Sequence, residues 1–235
     1  MALLYDAQLD PGKLEALSAW LPGQPWSGVA TGAEVERVSS YRFDDPADEV
    51  GIEVHLVRVP GTEAVIQVPV TYRGAPLAGA EAHLVTEMDH SVLGDRWVYE
   101  GTADPVLLSE FERAIRTGGT NAREFIRTDD GDIERFEIAA VTGEPVPEAG
   151  AGADAEASRS GATGSGATGS SAERPPSPTT LEGTTTVPLG AADLEILRFP
   201  LPVDAAPTDR PVLGRLIGTW EGQDTPQLLA RLVAH

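Results

Sequence analysis

The sequence predicts an α+β layer fold, and three observations carry that prediction. Three consecutive segments alternate apolar and polar side chains with a period of two. The connections between them are short and turn-like, so the segments pair antiparallel. Three further segments repeat apolar residues at helical spacing behind a capping side chain and a proline, with too few helices in the chain for a doubly wound sheet.

Taken in chain order, the first helix is announced by Asp10-Pro11, where a carboxylate can accept from free first-turn amides and proline loses no hydrogen bond. Leu14, Leu17 and Leu21 form its apolar stripe with Trp20 beside it, and Pro22-Gly23 stops it. Residues 35–43, 50–59 and 64–73 then alternate as strands; Val50, Ile52, Val54 and Leu56 oppose Gly51, Glu53, His55 and Val57. Residues 44–49 and Pro60-Gly61-Thr62 turn the chain, giving an antiparallel meander. A shorter strand is expected over 96–100, and Asp104-Pro105 opens a second helix with Leu108, Phe111 and Ile115 on one face and Gly118-Gly119 at its end. Asp130-Gly131 between 125–128 and 133–141 is the strongest hairpin signal in the chain. Two more strands are expected over 194–199 and 212–220, and Thr225-Pro226 with Leu228, Leu229, Leu232 and Val233 predicts a third helix.

Between these parts, residues 144–180 hold 8 Ala, 6 Gly, 6 Ser, 4 Thr and 5 Pro, with Val146 the only large aliphatic, so they cannot form a core. The expected organisation is a first domain over 1–143, a disordered linker over 144–180, and C-terminal strands and helix over 181–235. That last piece is short enough that it is expected to dock on the first domain.

Composition narrows function by exclusion. With 37 acidic and 17 basic side chains the net charge is -20, which repels nucleic acid and anionic membrane surfaces. The absence of cysteine removes thiolate metal sites, disulfides and thiol catalysis. Neither a signal-like amino terminus nor an apolar run of spanning length is present, so a cytoplasmic protein is expected.

The motif candidates are weak. Gly164-Ser-Gly166-Ala-Thr-Gly169 matches a nucleotide-binding expression, yet both flanks are low-complexity sequence rather than a strand and a helix. Asp89, His90 and Ser91 are adjacent, and adjacent residues of an extended chain point apart, so they cannot form a relay. His83, Glu87, Asp89 and His90 have metal-compatible side chains without a recognised ligand spacing. The acidic groups at 44–49 and 129–132 fall in turns, where Asp is favoured for its backbone hydrogen bonds. No catalytic, cofactor-binding or metal residue is nominated, and no cofactor is expected.

A set of blocks does point further: Tyr41-Arg-Phe-Asp-Asp, Val50-Gly-Ile-Glu-Val, Gln67-Val-Pro-Val-Thr-Tyr-Arg73, His90-Ser-Val-Leu-Gly, Arg96-Trp-Val-Tyr-Glu100 and Asp104-Pro. Together they resemble the maltokinase N-terminal cap-like family over roughly Met1 to Phe125. The resemblance implies a curved antiparallel sheet, cystatin-like, with about three helices packed on it. It carries over a cap and not kinase chemistry, because the sequence has no H-x-D-x-x-x-x-N and a catalytic lobe would need ~250 further residues. It implies an accessory protein of α-glucan or trehalose metabolism whose partner is a sugar kinase or a glucan-metabolising enzyme. The alternatives are residual ATP-dependent sugar phosphotransfer and a small carbohydrate-binding module for maltose or α-glucan. Such a module would stack sugar on Trp26, Tyr72, Trp97 and Tyr99, with Glu53, His55, Arg73, His90 and Arg96 as polar contacts.

Overall fold

The computed structural model describes residues 2–4, 7–128, 131–136, 138–146 and 177–235. The N-terminal part runs β1 (Ala2–Leu4), β2 (Leu9–Asp10), α1 (Lys13–Trp20), β3 (Glu36–Phe43), β4 (Val50–Arg58), β5 (Ile66–Arg73), β6 (Leu84–His90), β7 (Gly94–Glu100) and α2 (Pro105–Thr117). There follow β8 (Glu124–Thr128), β9 (Gly131–Arg135), β10 (Ala140–Pro145), β11 (Thr179–Leu181), β12 (Thr184–Leu189), β13 (Ala192–Pro202), β14 (Val212–Trp220) and β15 (Gln223–Ala234).

The expected meander is present: β3, β4 and β5 pair antiparallel in sequence, and β7, β6 and β2 extend the sheet to the order β2-β6-β7-β5-β4-β3. We call this the cap sheet. A second antiparallel sheet has the order β10-β14-β15-β13-β12-β11, and β1, β8 and β9 make a small third one. The hairpin forms between β8 and β9 with Thr128 opposite Gly131, but the predicted strand 133–141 is split. Its first part stays in the small sheet and its second becomes β10, the edge of the C-terminal sheet.

Among the described residues two α-helices form, where about three helices were expected. α1 starts two residues later than expected: Gly12, not Asp10, is its N-cap, and the Gly12 amide donates to the Glu15 carboxylate at 3.3 Å. α2 matches its prediction, with Asp104 accepting from the Val106 amide and Gly118 closing the helix in the left-handed region. The third predicted helix is strand β15. Leu228, Leu229, Ala230, Leu232 and Val233 are all buried because β15 lies in the middle of its sheet, and burial on both faces erases the period-two signal. Pro226 falls where the ladder to β14 slips, so no hydrogen-bond donor is needed from it. The strands β1, β2, β6, β11 and β12 have no counterpart in the sequence reading.

The cap sheet buries both faces. One face, with Tyr41, Phe43, Ile52, Val54 and Leu56, packs across α2 onto Leu194, Ile196, Leu216, Leu229 and Leu232 of the C-terminal sheet. The other, with Val57, Val68, Val70 and Val98, packs on Leu17 and Leu21. α2 lies directly on the C-terminal sheet: a Cβ at Gly143 would sit 1.9 Å from the Ala114 carbonyl oxygen, so only glycine fits. Gln67 pegs the two large sheets together, its amide donating to the Leu197 and Leu229 carbonyls and its oxygen accepting from Tyr41 OH.

The ends of the expected linker belong to strands, since β10 reaches Pro145 and β11 begins at Thr179. Residues 147–176, with the Gly164–Gly169 string, lie outside the described residues. Among the described residues no helix is long and apolar enough to cross a membrane.

Candidate functional site

Strand alternation places Glu53 and His55 of β4 on the α1 face of the cap sheet. Arg42 is the ladder partner of Glu53 on β3, Tyr72 is two positions along on β5, and α1 lays Lys13 over them. Glu53 Oε2 accepts from Lys13 Nζ and from Arg42 Nη2, both at 2.6 Å. His55 Nε2 lies 3.9 Å from the same oxygen and 3.1 Å from Tyr72 OH.

Burial works to raise the Glu53 pKa, but the charges of Arg42 and Lys13 and the hydrogen bond from Lys13 outweigh it and hold the carboxyl well below the usual range. Burial lowers His55 to about 4, Glu53 only partly offsetting it. Burial raises Tyr72 well above the usual phenol value, and Glu53 adds to that. Lys13 is lowered, first by burial and then by Arg42, against the pull of Glu53. At neutral pH the group is therefore an ionised carboxylate saturated with donors beside a neutral imidazole. That arrangement holds a sheet together and is poorly poised for general acid or base work.

The remaining sequence candidates go elsewhere. Arg73 is on the opposite face, where Nε and Nη2 each donate to Asp104 at 2.7 Å and Thr71 Oγ1 donates to it at 2.6 Å. Arg73 thus supports the cap of α2. Trp97 is the ladder partner of Arg73, and Tyr99 OH accepts from the Leu77 amide at 2.9 Å. His90 and Arg96 belong to the β6–β7 turn: His90 Nδ1 accepts from the Val92 and Leu93 amides, and Arg96 Nη2 donates to the Leu93 carbonyl at 2.7 Å. Ser91 Oγ accepts from the Gln8 amide, so Asp89, His90 and Ser91 each serve the turn or the ladder. Among the described residues no group of three His, Asp or Glu side chains is arranged to hold a metal ion. Of the nine residues weighed for sugar contact, the fold brings together only Glu53, His55 and Tyr72 in one bonded group.

A second buried constellation, absent from the sequence reading, sits where the two large sheets meet. Arg198 of β13 donates from Nη2 to Glu100 Oε1 at 2.8 Å and from Nε to Thr185 Oγ1 at 2.7 Å. Thr102 Oγ1 donates to the other oxygen of Glu100. The guanidinium carbon stands 4.3 Å from the centroid of Trp26, a cation–π contact. Arg198 is only 2% exposed, and among the described residues its Nη1 has no hydrogen-bond partner. A cavity of about 160 Å³ opens here, lined by Trp20, Gln24, Trp26, His83, Glu100 and Arg198 among others. The one signal available in sequence was an arginine inside the apolar run 194–199; its partner lies 98 residues away. A larger cavity of about 340 Å³ lies by Phe43, Asn121 and Phe125, with Arg113 and Arg123 beside it already bonded to Glu110 and Glu134.

No curated protein matches the chain. A family model does match, over residues 20–104, a span that starts at the last residue of α1 and ends at the N-cap of α2 and so takes in β3 to β7 of the cap sheet. That family is described as the maltokinase N-terminal cap domain, and residues 20–104 of this chain are similar to it.

Proposed function

We propose that this chain is a non-catalytic, cap-like accessory protein that acts by contact with a sugar kinase or a glucan-metabolising enzyme. The observation that carries the reading is the maltokinase cap match over residues 20–104. Two features of the cap sheet support it. Lys13, the only lysine of the chain, is committed to Glu53, which leaves no lysine for a phosphate chain. The β6–β7 turn presents Val92 and Leu93, 54% and 46% exposed. Beside them, among the described residues, the outer edge of β6 is paired by β2 only at Asp89 and His90, which leaves the stretch before it for an added strand or a covering surface. The acidic balance of residues 1–140, 25 acids to 11 bases, suits a basic face on the partner.

The test mixes the chain with a maltose-phosphorylating kinase whose own cap has been deleted, following complex formation by sedimentation and maltose-dependent ADP release. The expected result is a complex that weakens with salt and, in a Val92→Asp, Leu93→Asp double variant of unchanged unfolding midpoint, by on the order of tenfold or more. Failure to form a complex at low salt with any such kinase or glucan enzyme ends the reading. ADP release from ATP and maltose by the chain alone would replace it with phosphotransfer.

A further inference from the structure

The two large sheets share one strand order. Read from the far edge, the cap sheet runs β3-β4-β5-β7-β6-β2 and the C-terminal sheet β11-β12-β13-β15-β14-β10, with every neighbouring pair antiparallel. β2 therefore stands beside β6 as β10 stands beside β14. β10 covers its neighbour over six residues, from Thr219 to Gly214. β2 starts at the same end, next to the hairpin turn, and covers two, His90 and Asp89, before Pro11 and α1 take the chain away. The remaining edges are covered or short. The Ala122 and Ala139 amides donate to the Arg42 and Ser40 carbonyls of β3, the Asn121 amide donates to the Val141 carbonyl of β10, and β11 is three residues long. Among the described residues, 84–88 is thus the stretch where the C-terminal sheet has a partner strand and the cap sheet has none.

We infer that residues 84–88 take one extended strand from a partner protein, antiparallel to β6 and alternating basic with apolar side chains. This rests on the contact proposed at the β6–β7 turn and says what enters beside it. The phase of the edge follows from the Ser91 amide, which donates to the Gln8 carbonyl at 3.0 Å. In an antiparallel ladder alternate residues turn their backbone groups to the same neighbour, so Asp89 and Glu87 present theirs outward. The Glu87 carbonyl accepts from Thr86 Oγ1 at 2.8 Å and has a second lone pair for an incoming amide. Side chains set the two faces of the incoming strand. Glu87 and Asp89 are exposed on one side, whereas on the α1 side Met88 is buried and Val85 half-buried. Basic residues suit the first pair and apolar residues the second. The same carboxylates speak against a second copy of this chain, which would set Glu87 and Asp89 against their own equivalents in a molecule of net charge -20.

Titration of the isotope-labelled full chain, followed by NMR, with a synthetic peptide of about eight residues alternating arginine and valine tests this. The expected result is saturable shifts at Val85, Thr86 and Glu87 with a Kd on the order of 0.1 to 1 mM, slower exchange of the Glu87 amide, and weakening with salt. Of two isomers of the peptide N-methylated on alternate residues, one keeps binding and the other loses it, because only one set of amides faces β6. Glu87→Pro, which removes an outward amide and no β6–β7 bond, abolishes binding, and Glu87→Gln weakens it about threefold. The Val92→Asp, Leu93→Asp double variant does not weaken it. If Glu87→Pro fails to fold, the two N-methylated isomers decide on the parent chain. Shifts that miss residues 84–88 overturn the inference. So does a Glu87 amide already protected before peptide is added, binding of both isomers, or a glutamate–valine peptide that binds as tightly. A capless kinase that binds a chain indifferent to the peptide ends this inference alone. Peptide binding without any kinase or glucan-enzyme complex ends the partner reading alone.

Discussion

Two of the carboxylates that the chain buries beside cations, Glu53 and Glu100, differ in what they tie together. Glu53 is surrounded within one sheet: its ladder partner Arg42 and the helix lying over it supply the two donors. Glu100 reaches across from the cap sheet to Arg198 on the C-terminal sheet, and the pair is left with a spare donor beside a cavity. Each network keeps one buried guanidinium nitrogen without a partner among the described residues, Nε of Arg42 and Nη1 of Arg198, so what separates them is the span they tie: one sheet and its helix for Glu53, two sheets for Glu100.

The sharpest way to break this contrast is to neutralise Glu53. Glu53→Gln strands Lys13 and Arg42 without a counter-charge, and a loss of about 3 to 5 kcal/mol is expected from equilibrium urea unfolding. A loss below about 1 kcal/mol would mean that the cap sheet does not depend on this network.

Acid gives a graded version of the same test. His55 has an ordinary pKa of 6.5 and is held at about 4 in the folded chain. As pH falls below 6.5 the unfolded chain takes up a proton that the folded chain refuses. The contribution is therefore complete above about 6.5 and drains away as pH approaches 4, by about 3 kcal/mol at most. Glu53, whose carboxyl is held well below its ordinary value, adds loss in the same direction below about 4.5. Glu124, raised first by burial, works against it. The urea midpoint should drop between pH 7 and pH 5, and His55→Gln should flatten that slope; an unchanged midpoint in the parent chain would contradict the burial of His55.

The smallest effect concerns the peg between the sheets. Gln67→Leu leaves Tyr41 OH and the Leu197 and Leu229 carbonyls without their partner, an expected loss of about 2 kcal/mol. If the junction is the weaker body, hydrogen exchange in this variant should rise at β13 and β5 while α1 stays protected.

How much of this could be read in the chain depends on how far apart the interacting groups lie. The meander was legible because β3, β4 and β5 follow one another and each alternates, and α2 because Asp104, Pro105 and Gly118 mark its ends locally. β15 was misread because an apolar run buried on both faces satisfies a helical spacing as well as a strand. Glu53 and His55 were singled out on their strand, but Lys13 arrives from 40 residues away. The Glu100–Arg198 pair, 98 residues apart, has no sequence pattern at all. Arg73 and Arg96 were legible as polar side chains on a sheet, while their employment on a helix cap and in a turn depends on register.

The place of β15 has a consequence for how the molecule comes into being. It is inserted between β13 and β14, which precede it in the chain and have no ladder with each other. During synthesis the C-terminal sheet therefore waits in two unjoined halves until residues 223–234 clear the ribosome, and Gln67 waits with it for the Leu229 carbonyl, 162 positions downstream. Closure over such separations is slow, and the waiting edges of β13 and β14 are the surfaces at which a nascent chain would recruit a chaperone or aggregate.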